Sequence, residues 1–143
     1  MKEVLSKQIA KLAEDGYTDF LSGMAEGTDT WAALAVLALK KESPALKLHC
    51  ILPCRGQTDQ WSVSARELYF SILEQADNIV YVSQDYSKDC MLKRNRYLVE
   101  HTSCLLATYN GERRGGTAMT VRYAQKLERK VILLDPYTRQ VTF

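Results

Sequence analysis

The chain has 143 residues, 46% of them hydrophobic and 25% charged, which suits a single domain over residues 1–143 with one core of ordinary size. Nineteen basic residues against 17 acidic ones leave a formal charge of +2, so no broad field draws the chain onto nucleic acid or an anionic membrane surface. No stretch approaches the roughly 18 apolar residues of a spanning helix, and MKEVLSKQIAKLAEDG lacks the continuous apolar core of a secretory leader, so a cytoplasmic, non-membrane protein is the expectation.

Residues 1–15 place Leu5, Ile9 and Leu12 on one face of an amphipathic helix that Gly16 ends. Phe20 and Leu21 form a short apolar run leading into Ser22 and Gly23. Thr28 or Asp29 can then cap a helix to about Lys41, and its WAALAVLALK stretch, apolar nearly all round, should be buried. Leu46–Leu52 reads as a strand stopped by Pro53. Thr58–Gln75 reads as a helix with Trp61, Ala65, Leu68, Tyr69, Ile72 and Leu73 along one stripe. A strand over 78–83, a helix over 89–101, a strand over 103–108, a helix over 116–128 and a last strand over 130–135 complete the series. Apolar strands that alternate with helices imply a three-layer α/β fold: a Rossmann-like parallel sheet with helices on both faces.

In such sheets ligands bind beyond the carboxyl ends of the strands, near the switch point in strand order. Two glycine-bearing loops occupy that position, LSGMAEGTDTWAA from 21 and ATYNGERRGGTAMTVRYA from 107, each opening a helix. Helix N-termini carry unpaired N–H groups and the positive end of the peptide dipole, and glycine lets an anion approach them, so the pair points to a phosphate-bearing ligand. Ser22, Gly23, Met24, Gly27 and Thr28 belong to the first loop. Asp29 there is either a helix cap or a carboxylate for a ribose hydroxyl, and Trp31 either core or a stacking surface for a base. Gly115, Gly116, Thr117 and Thr120 form the second cradle, with Arg114 able to clamp an anion.

Arg55 and Gln57 follow a strand end and are placed to touch a ligand. In CMLKRNRYLVEH, Asn95 shares a stripe with Met91 and Leu98, and a polar amide on an apolar stripe needs a partner. Arg94 beside it is either a surface arginine or a planar charged donor to phosphate or ribose. In the second reading, Arg94→Ala weakens ligand binding with little loss of fold. The cysteines Cys50, Cys54, Cys90 and Cys104 lack the paired spacing of a zinc site, and none is assigned to a disulfide; Cys50 and Cys104 sit in apolar runs as small hydrophobes. No metal ligand set is expected.

The run GMAEGTDTWAA, then Pro53, Gln57 and Trp61, then RNRYLVE and GGTAMTVRYA, resembles the bacterial DUF1273 family of YpsA-like and prophage YoqJ-like proteins, in the SLOG superfamily of Rossmann-like domains, over nearly the whole chain. The resemblance implies a nucleotide or nucleotide-derived ligand held between the two glycine loops, but supplies no reaction. Family members begin with a strand ending in Thr-Gly-His-Arg, which this sequence does not contain; its first residue corresponds to the helix after that strand. The strand would lie mid-sheet beside the one ending at Ser22. A rearranged sheet, a partner chain such as a second copy in the gap, or a sequence that starts late are the three expected outcomes.

Phosphoribohydrolases of the LOG type resemble the chain through Met91, Arg94 and the Gly-Gly-Thr loop. They carry a glutamate where Thr120 stands here, which argues against glycosidic cleavage. The expected role is therefore binding or sensing of a nucleotide-like ligand, with such a hydrolase, or a DNA-associated protein like DprA, as the alternatives.

Overall fold

A computed structural model describes residues 1–143. Five helices and six strands follow one another: α1 (Lys2–Glu14), β1 (Asp19–Ser22), α2 (Thr28–Lys40), β2 (Lys47–Leu52), α3 (Val63–Gln75), β3 (Asn78–Tyr81), α4 (Cys90–Glu100), β4 (Cys104–Thr108), α5 (Gly116–Lys126), β5 (Lys130–Leu134) and β6 (Val141–Thr142). This is the alternating α/β architecture that the sequence pattern implies. No helix is long and apolar enough to cross a membrane.

The strands form two three-stranded sheets, ordered β1-β2-β3 and β4-β5-β6. Parallel pairing sets Phe20 opposite Leu48 and Cys50 opposite Ile79 in the first sheet, and Leu106 opposite Ile132 in the second. The short strand β6 runs antiparallel to β5, a pairing absent from the sequence reading because two residues leave no period to detect. Of the three expected outcomes for the sheet, rearrangement into a continuous one does not occur: β1 pairs only with β2, and β4 only with β5.

Chain direction explains the layers. From β1 the chain steps outward through α2 to β2 and through α3 to β3, then crosses back through α4 to β4 and steps the other way through α5 to β5. Right-handed crossovers with reversed travel put the later helices on the opposite face. Accordingly α1, α2 and α3 pack as one layer, while α4 and α5 pack together as the other. The main core joins Leu5 and Ile9 of α1, Ala33 and Val36 of α2, Leu48, Cys50 and Leu52 of β2, and Leu134 of β5.

Three expectations need correction. α2 is not wholly buried: Thr30, Ala33 and Val36 are, whereas Leu34 is 37% exposed, because a narrow sheet covers only one side of the helix. α3 starts at Val63, not Thr58, because the Ser62 hydroxyl accepts the Ala65 N–H at 3.2 Å and caps it there. Trp61 thus lies outside the helix, yet its ring meets Tyr69 edge-on at 5.3 Å. The strands are also less buried than continuous apolar runs imply. β3 is an edge, and every residue of β4, Cys104 included, is only partly covered.

Candidate ligand site at the mouth of the cleft

Between β1 and β4 lies a cleft of about 880 Å³, and at its carboxyl-end mouth the two glycine loops meet. Phe20, Leu21 and Ser22 form one wall, Leu105, Leu106 and Ala107 the other. Gly23, Asp29, Arg94, Asn95, Gly116, Thr117 and Thr120 all line it.

Arg94 is the centre of this mouth. It comes from the first half of α4 and is 5% exposed, so the surface-arginine reading is wrong. Its Nη1 donates to the Gly23 carbonyl, its Nε donates to Asn95 Oδ1 at 2.8 Å, and its Nη2 lies 3.7 Å from Met91 Sδ. The amide on the apolar stripe therefore has its partner one residue away. Burial pushes the guanidinium's pKa down, with the Asp29 carboxylate opposing that shift, and burial pushes Asp29 up, with Arg94 opposing. Each charge stabilises the other only partly against its desolvation. A side chain this enclosed and bonded supports the fold as well, so Arg94→Ala is expected to lower stability along with ligand affinity.

Gly23 follows from Arg94. A Cβ built at Gly23 would stand 2.8 Å from Arg94 Cδ and Nη1 and 2.9 Å from Cζ, closer than side-chain carbons pack. Close approach is what glycine provides here. At Gly27 the requirement is conformational, because φ is +96°.

Asp29 is neither a free carboxylate nor the cap of α2. Gly27 is the capping residue, and Asp29 Oδ2 accepts the Ala25 N–H at 3.1 Å, folding the loop back on itself. Ser22 Oγ donates to the Asp29 carbonyl at 3.0 Å and accepts the Met24 N–H at 3.2 Å. Ser22 is thus a brace of the loop. Met24 takes φ of 58° and buries its side chain completely in the core instead of lining the cleft. Trp31 is packed against the core with Lys2 Nζ 5.0 Å from its ring centre.

The second loop is more open. Gly115 (φ +105°), Gly116 and Thr117 are exposed at the start of α5, and Asn95 Nδ2 stands 3.7 Å from where a Gly116 Cβ would be. Thr120 Oγ1 donates back to the Gly116 carbonyl at 2.8 Å. Its hydroxyl is committed to the helix rather than free for a ligand. Arg114 and Gly115 line a smaller adjoining hollow with Thr108 and Tyr109. Arg55 lies elsewhere: exposed beyond β2, it stacks on the Tyr81 ring at 4.7 Å and does not reach the cleft.

One residue escaped the sequence reading. Thr108 ends β4, lines both the cleft and the adjoining hollow, and its buried hydroxyl has no hydrogen-bond partner. Its place as the last residue of a strand before a glycine loop was the available signal.

Sequence comparison gives the family of the chain. The profile described as the YspA SLOG family, YpsA, matches residues 1–138. The chain belongs to the YpsA family. It is 35% identical over 127 residues to a UPF0398 protein of Bacillus pumilus (strain SAFR-032), covering 87% of this chain and 68% of the relative. A UPF0398 protein of Halalkalibacterium halodurans is 30% identical over 139 residues, covering 96% and 71%. One from Bacillus cereus (strain G9842) is 30% identical over 128 residues, covering 88% and 70%.

Proposed function

We propose that this YpsA-family chain binds a nucleotide or nucleotide-derived ligand at the mouth between the two glycine loops, as a binding or sensing domain. The observation that carries the reading is the buried Arg94 guanidinium, anchored to Gly23 and Asn95, set in the same cleft as the open N-terminus of α5. A fixed planar cation and exposed helix N–H groups offer two attachment points for an anionic group. Phosphate meets Gly116, Thr117 and the Thr108 hydroxyl, and Arg94 neutralises charge from the opposite loop. Asn95, between them, orients the sugar or base. Asp29 acts indirectly, by holding the loop and facing Arg94.

The Thr120 position does not favour hydrolysis. Where a phosphoribohydrolase of the LOG type carries its glutamate, Thr120 donates its hydroxyl to the helix backbone and supplies no acid or base to a glycosidic bond. The carboxylates on the cleft lining near the first loop are Asp29, whose Oδ2 accepts the Ala25 N–H, and the exposed Glu26.

The test is thermal unfolding of the purified chain with AMP, NAD, UDP-glucose, ribose 5-phosphate or inorganic phosphate, with free-base release followed in every sample. A ligand at ten times its Kd stabilises the folded state by about 1.4 kcal/mol, or about 3–6 °C in Tm for a chain of this size. Stabilisation without release supports the binding reading. Release of base would replace it with hydrolysis, and a cooperative transition that no compound moves would refute it.

A further inference from the structure

We propose that the groove between α4 and α5 is a binding surface for single-stranded nucleic acid, with phosphates along a row of cations on α5 and bases over the groove floor. The groove is separate from the ligand mouth, sharing with the cleft only Asn95 and Thr120, and the inference stands whatever binds at that mouth.

Division of charge carries it. The near-neutral total conceals an uneven spread: ten basic and four acidic residues fall within 88–130, the stretch that holds α4, β4 and α5, while nine basic and 13 acidic residues fall outside it. One part of the fold is therefore cationic and the rest anionic. Of the ten basic residues only Arg94 is buried. Asp89 pairs with Lys93 at 3.7 Å, and Glu100 accepts the Tyr123 hydroxyl at 2.7 Å. Arg96, Arg113, Arg114, Arg122 and Lys126 are all exposed and form no ion pair.

The helices arrange these cations in a line. α4 and α5 pack side by side, and the hollow of about 260 Å³ between them is lined by Leu92 and Arg96 from α4 and by Met119, Arg122, Tyr123 and Lys126 from α5. No carboxylate lines it. Arg122 and Lys126 stand about one turn apart, and Arg122 Nη1 donates to the Arg113 carbonyl at 2.9 Å, which holds Arg113 and Arg114 at the head of the same row. α5 has 11 residues, so the row runs about 16 Å. A nucleic-acid strand carries one phosphate per about 3.4 Å of stacked length, so about four phosphates lie along it.

The floor selects the partner. Leu92, Met119 and Tyr123 are partly or fully open to solvent among the cations, and a groove that combines positive charge with aromatic surface holds a backbone while its bases stack. An acidic peptide would neutralise the rim and leave that floor uncovered. A membrane-bound helix needs a broad apolar face beside its cations, and Met119 is the one large hydrophobic side chain that α5 exposes. A duplex fits poorly, because each helix is flanked by the other and neither stands clear to enter a major groove.

The test is fluorescence anisotropy of labelled oligothymidylate and oligouridylate, about 12 nucleotides long, titrated with the 143-residue chain. The expected result is saturable binding at low salt, with log K falling against log salt at a slope of about −3, or about 0.7 for each of about four phosphates. Arg122→Gln combined with Lys126→Gln should weaken binding at least tenfold and flatten the slope to about −1.4. Lys126 is exposed and unpaired, so Lys126→Gln alone, with an expected loss of about threefold, keeps the test decisive if losing the Arg122 bond disturbs α5. Lys7→Gln combined with Lys41→Gln removes the same charge from exposed positions elsewhere and should leave affinity within about twofold. Equal weakening by the two pairs, no binding, or a slope flatter than about −1 would overturn the proposal. So would a duplex, polyglutamate or phosphatidylserine vesicles bound as tightly as the single strand, because the occupant would then be another class of polyanion.

Discussion

Gly23→Ala tests the central geometric claim about the site. The new methyl carbon would lie 2.8 Å from Arg94 Cδ and Nη1, so the guanidinium must move, and its bond to the Gly23 carbonyl goes with it. Overpacking a filled interior costs about 1–3 kcal/mol, and a hydrogen bond to a charged group contributes about 1.5–3 kcal/mol. The two overlap, because the same displacement relieves the first by losing the second. A loss of about 2–4 kcal/mol is expected, or about 5–15 °C in Tm. Urea unfolding of wild type, Gly23→Ala, Arg94→Ala and the double variant measures it. Gly23→Ala should cost at least 1 kcal/mol less when Arg94 is already Ala, since removal of Cδ and the guanidinium leaves room for the methyl group. Gly116→Ala serves as the control, because its nearest neighbour would be Asn95 Nδ2 at an ordinary 3.7 Å. Equal costs of Gly23→Ala in both backgrounds, or a cost below about 0.5 kcal/mol, would refute the explanation of Gly23.

Thr117→Val should leave the Tm of the free chain within about 2 °C, because Thr117 is exposed at the start of α5, yet weaken binding of any nucleotide hit about tenfold, as expected for one lost hydrogen bond to an anion. Ser62→Ala should cost about 1 kcal/mol in urea unfolding through loss of the α3 cap. Asp77 accepts a bond from Lys40 and another from the Leu48 N–H at 2.8 Å, and these in that order hold its carboxyl below the ordinary carboxylate range. A depressed carboxylate adds stability above its unfolded-state pKa and loses it as pH falls through the folded value. Asp77→Asn should therefore cost about 0.5–1 kcal/mol at pH 7, discounted for its partial exposure, and the difference from wild type should shrink steadily below about pH 4.

Local pattern is what the sequence by itself determined. Leu5, Ile9 and Leu12 repeat at helical spacing and are all buried on α1. Apolar runs at 47–52 and 104–108 are strands, and the glycines at 23, 27, 115 and 116 fall at strand-to-helix turns, as chain-local chemistry requires. The spaced motifs also sufficed to place the chain in its family. Everything that depends on who faces whom across the fold was decided by tertiary structure. Periodicity put Asn95 on an inward stripe, but only packing of α4 behind the first loop buries Arg94 against Gly23, two residues 71 positions apart. Asp29 has the residue type of a helix cap, yet the turn at Gly27 starts α2 earlier and frees its carboxylate for the Ala25 N–H. Periodicity likewise carries no record of a sheet left open between β1 and β4; only the family resemblance pointed to a gap beside β1, and the fold set β4 on its far side, because backbone pairing depends on strand positions in space and not on side-chain identity.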